Sequence, residues 1–282
     1  MRSKNDSPVL YGRSLLFVPA TRPERFVKAF DSGADCIVID LEDAVAEESK
    51  SSARALLAQY LPQLSPEQLA RTLVRVNAIG TTWHDEDVEL LREWTDHGVV
   101  MMLPKSEDAD AMRGLAERVG PLASIVALIE SLAGFDALDC IARVPEVVRL
   151  AFGHLDFQLD LGMRCSPEES ELAFVRNAIV VAARRADLPA PIDGVTTDIG
   201  STQRLALDAQ RARAFGFGGK LCIHPSQVAG VNQALGYTEA DLDWARRVIV
   251  LAKQHGGDAF ALDGRMVDLP VIRAAEAMLM RS

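Results

Sequence analysis

The chain has 282 residues, of which 49% are hydrophobic and 25% are charged, and this composition is ordinary for a globular protein with a hydrophobic core. A net charge of −10 argues against a general nucleic-acid surface and against a polybasic patch for membranes. The length fits either one large α/β barrel or two modest domains.

Eight short apolar runs alternate with longer amphipathic stretches along the chain. The runs span residues 14–18, 36–41, 72–76, 99–103, 124–129, 147–152, 191–195 and 220–223. This alternation predicts repeated βα units and a parallel sheet. Eight strands close a TIM barrel, whose usual length is about 250 residues, so we predict a TIM (β/α)8 barrel. The seventh run is weak as a strand and is included because the spacing requires one there.

Serine residues mark the predicted starts of several helices between these runs. Ser131 follows the fifth run, and Ser201 begins a stretch with apolar residues on one face. Ser166 is followed by a proline and two acidic residues. That pattern is typical of a helix cap followed by a first turn whose charge suits the helix dipole. We therefore predict a long helix over 168–187 that begins after Ser166.

Three more helices are predicted after the eighth run, at 228–235, 239–255 and 269–280. The first of them completes the barrel. The predicted domains are therefore a barrel over 1–235 and a C-terminal helical extension over 236–282. The extension could be a lid, an arm that contacts a neighbouring subunit, or a plain closing helix.

Polar side chains are predicted to gather at one end of the barrel. Side chains alternate along a strand, so Asp40 and Glu42 face the barrel axis beyond the apolar part of the second strand. The same alternation turns Arg75 and Asn77 inward from the third strand and Glu130 inward from the fifth. In barrels of this kind, catalytic residues lie at the C-terminal ends of the strands.

Two acidic residues stand out because each follows an apolar run. Glu130 closes the fifth run, and Asp156 comes four residues after the sixth. A carboxylate at the end of a buried strand is unfavourable unless it is paired, hydrated or bound to a cation. Together with Arg75, these acids predict a pocket for a divalent ion and a small anionic substrate.

Each of these polar residues also has a purely structural explanation. Glu42 or Asp43 could cap the following helix, and Arg75 could form a buried ion pair with an acid of the second strand. Glu130 could be an acid at a helix N-terminus, and Lys105 could be a binding cation or a solvated strand end. These alternatives stay open on the sequence alone.

Other signals narrow the class of protein. No run of about 18 apolar residues is present and the first eight residues are polar, so we predict neither a membrane span nor a secretion signal. The four cysteines lack paired spacing, which predicts free thiols and a cytoplasmic location. The chain contains no phosphate loop, no G-x-S-x-G motif and no H-E-x-x-H motif.

The chain resembles the citrate lyase beta-subunit-like family, whose relatives include malyl-CoA and citramalyl-CoA lyases. Matching segments follow in family order over nearly the whole chain, and jointly they are specific. They lie at 13–23, 40–45, 74–77, 103–105, 129–131, 152–156, 191–194, 223–227 and 264–270. The resemblance implies a TIM barrel with a C-terminal lid, assembled as a homo-oligomer, usually a trimer or hexamer. It also implies a Mg²⁺-dependent carbon–carbon lyase that cleaves or forms a 3-hydroxyacyl-CoA from an acyl-CoA and a small 2-oxo acid.

The resemblance also assigns roles to individual residues. Glu130 and Asp156 match the Mg²⁺ ligands, with Glu130 also facing the substrate, and Arg75 matches the residue that holds the carboxylate of the 2-oxo acid. Asp268 matches an acid that reaches a neighbouring subunit's site from the lid, where it could act as the acid–base group. Glu42, in the matching segment 40–45, is a further catalytic candidate.

The residues that the resemblance assigns to coenzyme A come from both ends of the barrel sequence. They are Phe17, Arg22, Lys28, Ile223 and His224.

Departures from the family pattern leave other functions open. His154 stands where relatives have a small or acidic residue, and it could either change substrate choice or face solvent. Acidic positions of the family near the expected coenzyme A side are also replaced, at 200–204 and at Gly218.

The alternatives are a metal-dependent aldolase acting on free hydroxy-oxo acids without coenzyme A and a malyl-CoA-type thioesterase. A catalytically silent subunit that assembles with an acyl-carrier partner is a third.

Overall fold

Eight parallel strands close into a barrel in the computed structural model, which describes residues 7–256 and 258–280. Each strand pairs with the next one in the sequence, and β1 pairs with β8 to complete the ring. The strands are β1 Ser14–Pro19, β2 Cys36–Asp40, β3 Thr72–Arg75, β4 Val100–Leu103, β5 Ile125–Ile129, β6 Val147–Phe152, β7 Ile192–Asp193 and β8 Gly219–Cys222. The predicted TIM barrel is confirmed, and each strand coincides with one of the eight predicted runs.

Helices connect the strands and continue after the barrel. They are α1 Phe26–Phe30, α2 Lys50–Tyr60, α3 Pro66–Ala70, α4 His84–Arg92, α5 Ala109–Val119, α6 Leu132–Asp136, α7 Leu138–Ala142, α8 His154–Asp160, α9 Ala173–Arg185, α10 Thr202–Phe215, α11 Val228–Leu235, α12 Glu239–Gln254 and α13 Leu269–Met280. Short 3₁₀ turns lie at Pro8–Leu10, Pro23–Arg25, Glu47–Ser49, Leu61–Gln63, Thr95–His97, Ser170–Leu172 and Pro225–Gln227. Within the part of the chain that the structure describes, none of these helices is both long and apolar enough to cross a bilayer.

The barrel interior is filled by alternate residues of its strands. In β2, Cys36 and Val38 belong to the interior cluster, whereas Ile37 and Ile39 are fully buried outside it. The cluster comprises Val9, Leu15, Cys36, Val38, Leu73, Val100, Met102, Val126, Leu128, Ala151, Ile192 and Leu221. The alternation that the sequence predicts therefore holds, and it directs the last residues of the strands toward the open end of the barrel.

The seventh strand is only two residues long and is supported by buried charges. It pairs with β6 at one position and with β8 at two. Behind it, Asp193 lies 3.2 Å from the guanidinium of Arg176 in α9. Lys220 of β8 is also buried and donates to the carbonyl of Gly194 at 2.6 Å. One buried ion pair and one hydrogen bond from a buried ammonium group thus support this short strand in addition to its few ladder pairs.

Two of the three predicted helix caps are confirmed. Ser131 and Ser201 accept backbone N–H bonds at the starts of α6 and α10. The prediction for Ser166 is wrong, because its N–H and hydroxyl both bond the carboxylate of Glu171 at 3.1 Å. The chain then turns at Glu169, whose φ is +49°, so α9 begins only at Ala173.

The C-terminal unit, Leu235–Ser282, has a hydrophobic core of its own. α12 and α13 bury Ala245, Val248, Ala252, Ile272 and Ala275 in it. The sequence analysis missed an antiparallel hairpin in this unit, formed by β9 Phe260–Leu262 and β10 Arg265–Val267. Its two-residue turn is Asp263–Gly264, both with positive φ, and an Asp-Gly pair is a strong hairpin signal.

We expect Asp193→Ala to destabilise the barrel strongly. The substitution leaves the 1% exposed Arg176 without one of its carboxylate partners, and breaking a buried ion pair lowers the free energy of unfolding by about 3 kcal/mol or more. Removing a partner of an exposed pair lowers it by about 1 kcal/mol at most, so Asp139→Ala, which breaks the exposed contact with Arg185, is the control. Urea unfolding followed by circular dichroism compares the two variants, and equal losses would contradict the structural role of the buried pair.

Candidate active site

A pocket of about 400 Å³ opens at the carboxyl ends of the barrel strands. Five of the residues to which the family resemblance assigns a role line it together, namely Phe17, Arg75, Glu130, Asp156 and Ile223. They come from β1, β3, the end of β5, α8 and the end of β8. The fold therefore brings distant parts of the chain to one place, as the strand-end argument requires, and the roles of these residues stay predictions.

Arg75 is the positive centre of this site. Its Nε and Nη2 donate to the two carboxylate oxygens of Asp40 at 2.8 and 2.6 Å, and its Nη1 donates to Asp43 at 3.1 Å. The ring centroid of Phe17 lies 4.8 Å from the guanidinium carbon, within the range of a cation–π contact. Burial lowers the pKa of Arg75, but the neighbouring carboxylates raise it by more, so it lies above its ordinary value. Arg75 therefore forms the buried ion pair that the sequence allowed and also lines the pocket.

Glu42 is buried between two cations. Its Oε1 accepts from Lys105 Nζ at 3.0 Å, and its Oε2 lies 3.0 Å from Arg75 Nη1 but outside hydrogen-bond geometry. Burial raises the pKa of this carboxyl, and the charge of Arg75 offsets only part of the effect. The alternative that Glu42 or Asp43 caps a helix is wrong, since both side chains turn to Arg75.

Glu130 presents a buried carboxylate to the pocket, and it is only 3% exposed. Its Oε1 accepts the backbone N–H of Lys105 at 2.8 Å, whereas Ser131 caps the following helix. Burial, followed by the charge of Glu42, raises the pKa of Glu130 to about 8. Gly153 leaves room for this carboxylate, because a Cβ there would lie 2.4 Å from Oε2.

Lys105 connects two of these acids, and the sequence left its role open between a binding cation and a solvated strand end. Its backbone has a φ of +45°, an uncommon conformation for a residue with a side chain. That conformation lets the N–H reach Glu130 while the ammonium group reaches Glu42. Strained backbone of this kind concentrates at functional sites. No local pattern in the sequence signals it.

The donor set of the pocket fits a magnesium ion. Glu130 and Asp156 supply carboxylate oxygens, and the charge of Asp156 also contributes to the raised pKa of Glu130. A divalent cation would relieve this repulsion. No cluster of three or more histidine, cysteine or acidic side chains suited to a metal occurs in residues 7–256 and 258–280. Mg²⁺ commonly binds through one or two carboxylates and retains several waters, so two acids suffice.

Three of the five residues predicted to bind coenzyme A lie outside the pocket lining. The side chain of Arg22 is exposed and lies 3.5 Å from that of Glu24, and Lys28 is exposed on α1. His224 is exposed, with Nδ1 2.7 Å from the hydroxyl of Ser226. Only Phe17 and Ile223 of the predicted set line the pocket, so the coenzyme A assignments of the other three stay predictions.

Two further residues lie away from the pocket lining. The amide of Asn77 donates to Asp87 at 2.6 Å and to the carbonyl of Leu41 at 3.1 Å. The prediction that it faces the barrel axis is wrong, because β3 ends at Arg75 and the alternation does not extend past the strand. Asp268 belongs to the C-terminal unit, where its carboxylate accepts the N–H of Val271 at 3.4 Å.

Comparison with known proteins gives consistent similarities. A family model described as HpcH/HpaI aldolase/citrate lyase matches residues 13–225. A citrate lyase subunit beta-like protein of Deinococcus radiodurans is 36% identical over 284 residues, with 98% of each chain covered. A (3S)-malyl-CoA thioesterase of Cereibacter sphaeroides is 30% identical over 270 residues, covering 94% of this chain and 93% of the relative. The crystal structure of CitE from Mycobacterium tuberculosis in complex with magnesium, acetoacetate and coenzyme A has a TM-score of 0.79 and 37% identity, covering 96% of this chain and 98% of that chain.

We expect Gly153→Ala to weaken magnesium binding by at least about tenfold, the effect typical of disturbing groups that orient a metal ligand. The added methyl group would collide with the carboxylate of Glu130. Isothermal titration with MgCl₂ measures the affinity. Gly114→Ala is the control, because nothing lies within 4 Å of a Cβ at that position. Unchanged affinity in folded Gly153→Ala would contradict the assignment of Glu130 as a ligand.

We expect the free energy of unfolding in EDTA to fall as the pH rises from the ordinary Glu value of 4.5 to about 8. In this range the unfolded chain ionises Glu130 while the native chain keeps its proton, which contributes a slope of up to about 1.4 kcal/mol per pH unit. Saturating Mg²⁺ removes this contribution by binding the ionised form. Glu130→Gln, which cannot titrate, isolates the effect, and identical pH slopes for this variant and the unmodified protein in EDTA would contradict it.

Proposed function

The chain belongs to the HpcH/HpaI aldolase/citrate lyase family, and we propose that it is a Mg²⁺-dependent carbon–carbon lyase. It cleaves or forms a 3-hydroxyacyl-CoA from an acyl-CoA and a small 2-oxo acid. The observation that carries the proposal is the meeting of Glu130, Asp156 and Arg75 around one pocket. Two carboxylates for a metal ion and one guanidinium for an organic acid are the groups that this reaction requires.

The metal ion has a defined task in this chemistry. Glu130 and Asp156 would hold it, and when bound it would act as a Lewis acid toward the substrate oxygens. The protein contributes a buried, preformed carboxylate at Glu130, fixed by the N–H of Lys105 and given space by Gly153. Preformed ligands avoid reorganisation when the substrate binds.

Arg75 is suited to bind the carboxylate of the 2-oxo acid. Its two contacts with Asp40 fix the plane of the guanidinium, and guanidinium groups bind carboxylates through two parallel hydrogen bonds. Asp43, which bonds Nη1, is more than half exposed. A substrate carboxylate can therefore displace Asp43 from Nη1 while Asp40 keeps Arg75 oriented.

The cleavage step needs one proton acceptor and one proton donor. The 3-hydroxyl group loses its proton to a carboxylate base, and its oxygen becomes the carbonyl of the 2-oxo acid. The electron pair of the bond between carbons 2 and 3 stays with the thioester fragment, which then takes a proton at carbon 2. Glu42 lies beside Arg75, and burial raises its pKa above the ordinary value, which makes it a stronger base than an exposed carboxylate and a candidate for the proton exchange.

Asp268 is the second candidate for proton exchange, and it implies an oligomer. It lies in the C-terminal unit, directly before α13. In our proposal this acid serves the site of a neighbouring subunit, so the active protein is a homo-oligomer, a trimer or a hexamer.

Coenzyme A is assigned to the side of the pocket that Phe17 of β1 and Ile223 after β8 line.

A thioesterase reaction is the second candidate function. It is favoured by the similarity to the (3S)-malyl-CoA thioesterase of Cereibacter sphaeroides. The same pocket would then direct water at the thioester carbonyl, and the products would be free coenzyme A and a hydroxy acid. A lyase instead releases an acyl-CoA and a 2-oxo acid, and an aldolase acts on hydroxy-oxo acids without coenzyme A.

Product analysis by mass spectrometry separates these reactions. The protein is incubated with a panel of 3-hydroxyacyl-CoA thioesters in Mg²⁺ or in EDTA. We expect an acyl-CoA and a 2-oxo acid in Mg²⁺ only. Free coenzyme A with an intact hydroxy acid would support the thioesterase, and turnover of free hydroxy-oxo acids alone would support the aldolase. No turnover of any thioester would contradict the lyase and favour a catalytically silent subunit.

We expect Glu130→Gln to abolish this turnover without loss of stability. The amide has nearly the shape of the carboxylate and needs no counter-charge in the buried site, so the free energy of unfolding at pH 8 should be equal or higher. Loss of a metal ligand lowers kcat/KM by on the order of a thousandfold, or several kcal/mol of transition-state stabilisation. This variant is more informative than Arg75→Ala, which removes the cation partner of the buried Asp40 and one of the two cations beside Glu42. Retained turnover in folded Glu130→Gln would refute the ligand role.

A further inference from the structure

A second cavity, of about 240 Å³, adjoins the candidate active site. The two spaces share three lining residues, His154, Leu155 and Val195. His154 is the innermost of the three, because it is only 3% exposed whereas Leu155 is 45% exposed. Its imidazole ring therefore forms the inner part of the wall between the two spaces.

The imidazole of His154 is held in this position from two sides. Nε2 lies 3.3 Å from the Oε1 atom of Glu169. On the other side, Gly194 approaches so closely that a Cβ there would lie 2.0 Å from Nδ1. The centroid of the Phe152 ring lies 6.1 Å from that of the imidazole. These contacts hold the ring in the wall between the two spaces.

Glu169 is itself fixed by two arginine residues. Its Oε2 accepts from Arg176 Nη2 at 2.5 Å and from Arg211 Nη2 at 3.0 Å. Its backbone adopts a left-handed conformation, with a φ of +49°, which is strained for a residue with a side chain. This strain is tolerated because the surrounding ion pairs determine the position of Glu169, and with it that of His154.

The second cavity is polar but offers little to an anion. Arg204 lines it, but its guanidinium already donates to Asp208 at 3.0 and 2.5 Å. Asp198 and Glu169 add negative charge to the lining, and Ser166 and Thr197 add hydroxyl groups. The space suits a short neutral or hydroxylated substituent and disfavours a second carboxylate.

We propose that His154 limits the size of the substituent on the 2-oxo acid by closing the second cavity. The inference rests on the proposed function. The 2-oxo acid is the fragment concerned because Asp156, two residues beyond His154 on α8, is assigned to the ion that would contact the oxygens of this acid. With the wall in place, the imidazole ring blocks the extension of the substituent at the carbonyl carbon. Without it, the substituent extends into the second cavity.

Direct binding of free 2-oxo acids tests this proposal without the need for turnover. Isothermal titration in Mg²⁺ gives Kd values for glyoxylate, pyruvate, 2-oxobutyrate and 4-hydroxy-2-oxobutyrate, with oxaloacetate as the doubly charged probe. In His154→Ala we expect the ratio of the Kd of 2-oxobutyrate to the Kd of glyoxylate to fall by at least about tenfold, the scale on which a pocket discriminates one methylene group. The affinity for 4-hydroxy-2-oxobutyrate relative to glyoxylate should rise by at least the same factor, and the relative affinity for oxaloacetate should rise by less.

His84→Ala is the matched control, because His84 is also buried, at 4% exposed, but lies outside both cavities. It should keep the relative affinities of the unmodified protein. His154→Asn, which retains a polar group toward Glu169, replaces His154→Ala if that variant does not fold. Unchanged relative affinities in a folded His154 variant would overturn the proposal, as would an equal change in His84→Ala. Failure of the unmodified protein to bind any 2-oxo acid in Mg²⁺ would instead contradict the proposed function.

Discussion

Compensation of buried negative charge is the constraint on which the site depends. Acidic side chains from β2, the end of β5 and α8 converge on one pocket, and two cations face them. Arg75 is shared by Asp40 and Glu42, and Lys105 bonds Glu42 through its side chain and Glu130 through its backbone. The carboxylates outnumber these cations, and burial together with the charges of Glu42 and Asp156 raises the pKa of Glu130. A buried acid with this property is poised to bind a divalent ion, because the ion supplies the missing positive charge.

Much of the fold could be predicted because it depends on local alternation. The eight apolar runs coincide with the eight strands, and even the two-residue β7 was placed by spacing alone. The same alternation directed Arg75 and Glu130 to the open end of the barrel, and Asp156 follows from its position after β6. The membership in the family of citrate lyase-like enzymes that the motifs implied is confirmed by the family match and the relatives.

Features that depend on contacts between distant segments could not be predicted. The positive φ of Lys105 and the close approach of Gly153 to Glu130 exist only once β4, β5 and β6 lie side by side. Asn77 departs from the prediction because the alternation ends with its strand at Arg75. Ser166 departs from it for a local reason, since the carboxylate of the nearby Glu171 binds both its N–H and its hydroxyl group. The hairpin of the C-terminal unit was different, since its Asp-Gly turn was visible in the sequence and was overlooked.

The central claim is that Glu130 and Asp156 share one ion, and Mn²⁺ in a crystal of this protein tests it most directly. Mn²⁺ occupies magnesium sites and gives an anomalous diffraction signal that locates it independently of any assumed ligand. The account predicts one strong anomalous peak in the pocket, with a carboxylate oxygen from each of the two acids at about 2.0–2.2 Å, close to the distances of Mg²⁺. A peak bound to only one of these acids, or to residues elsewhere, would contradict it.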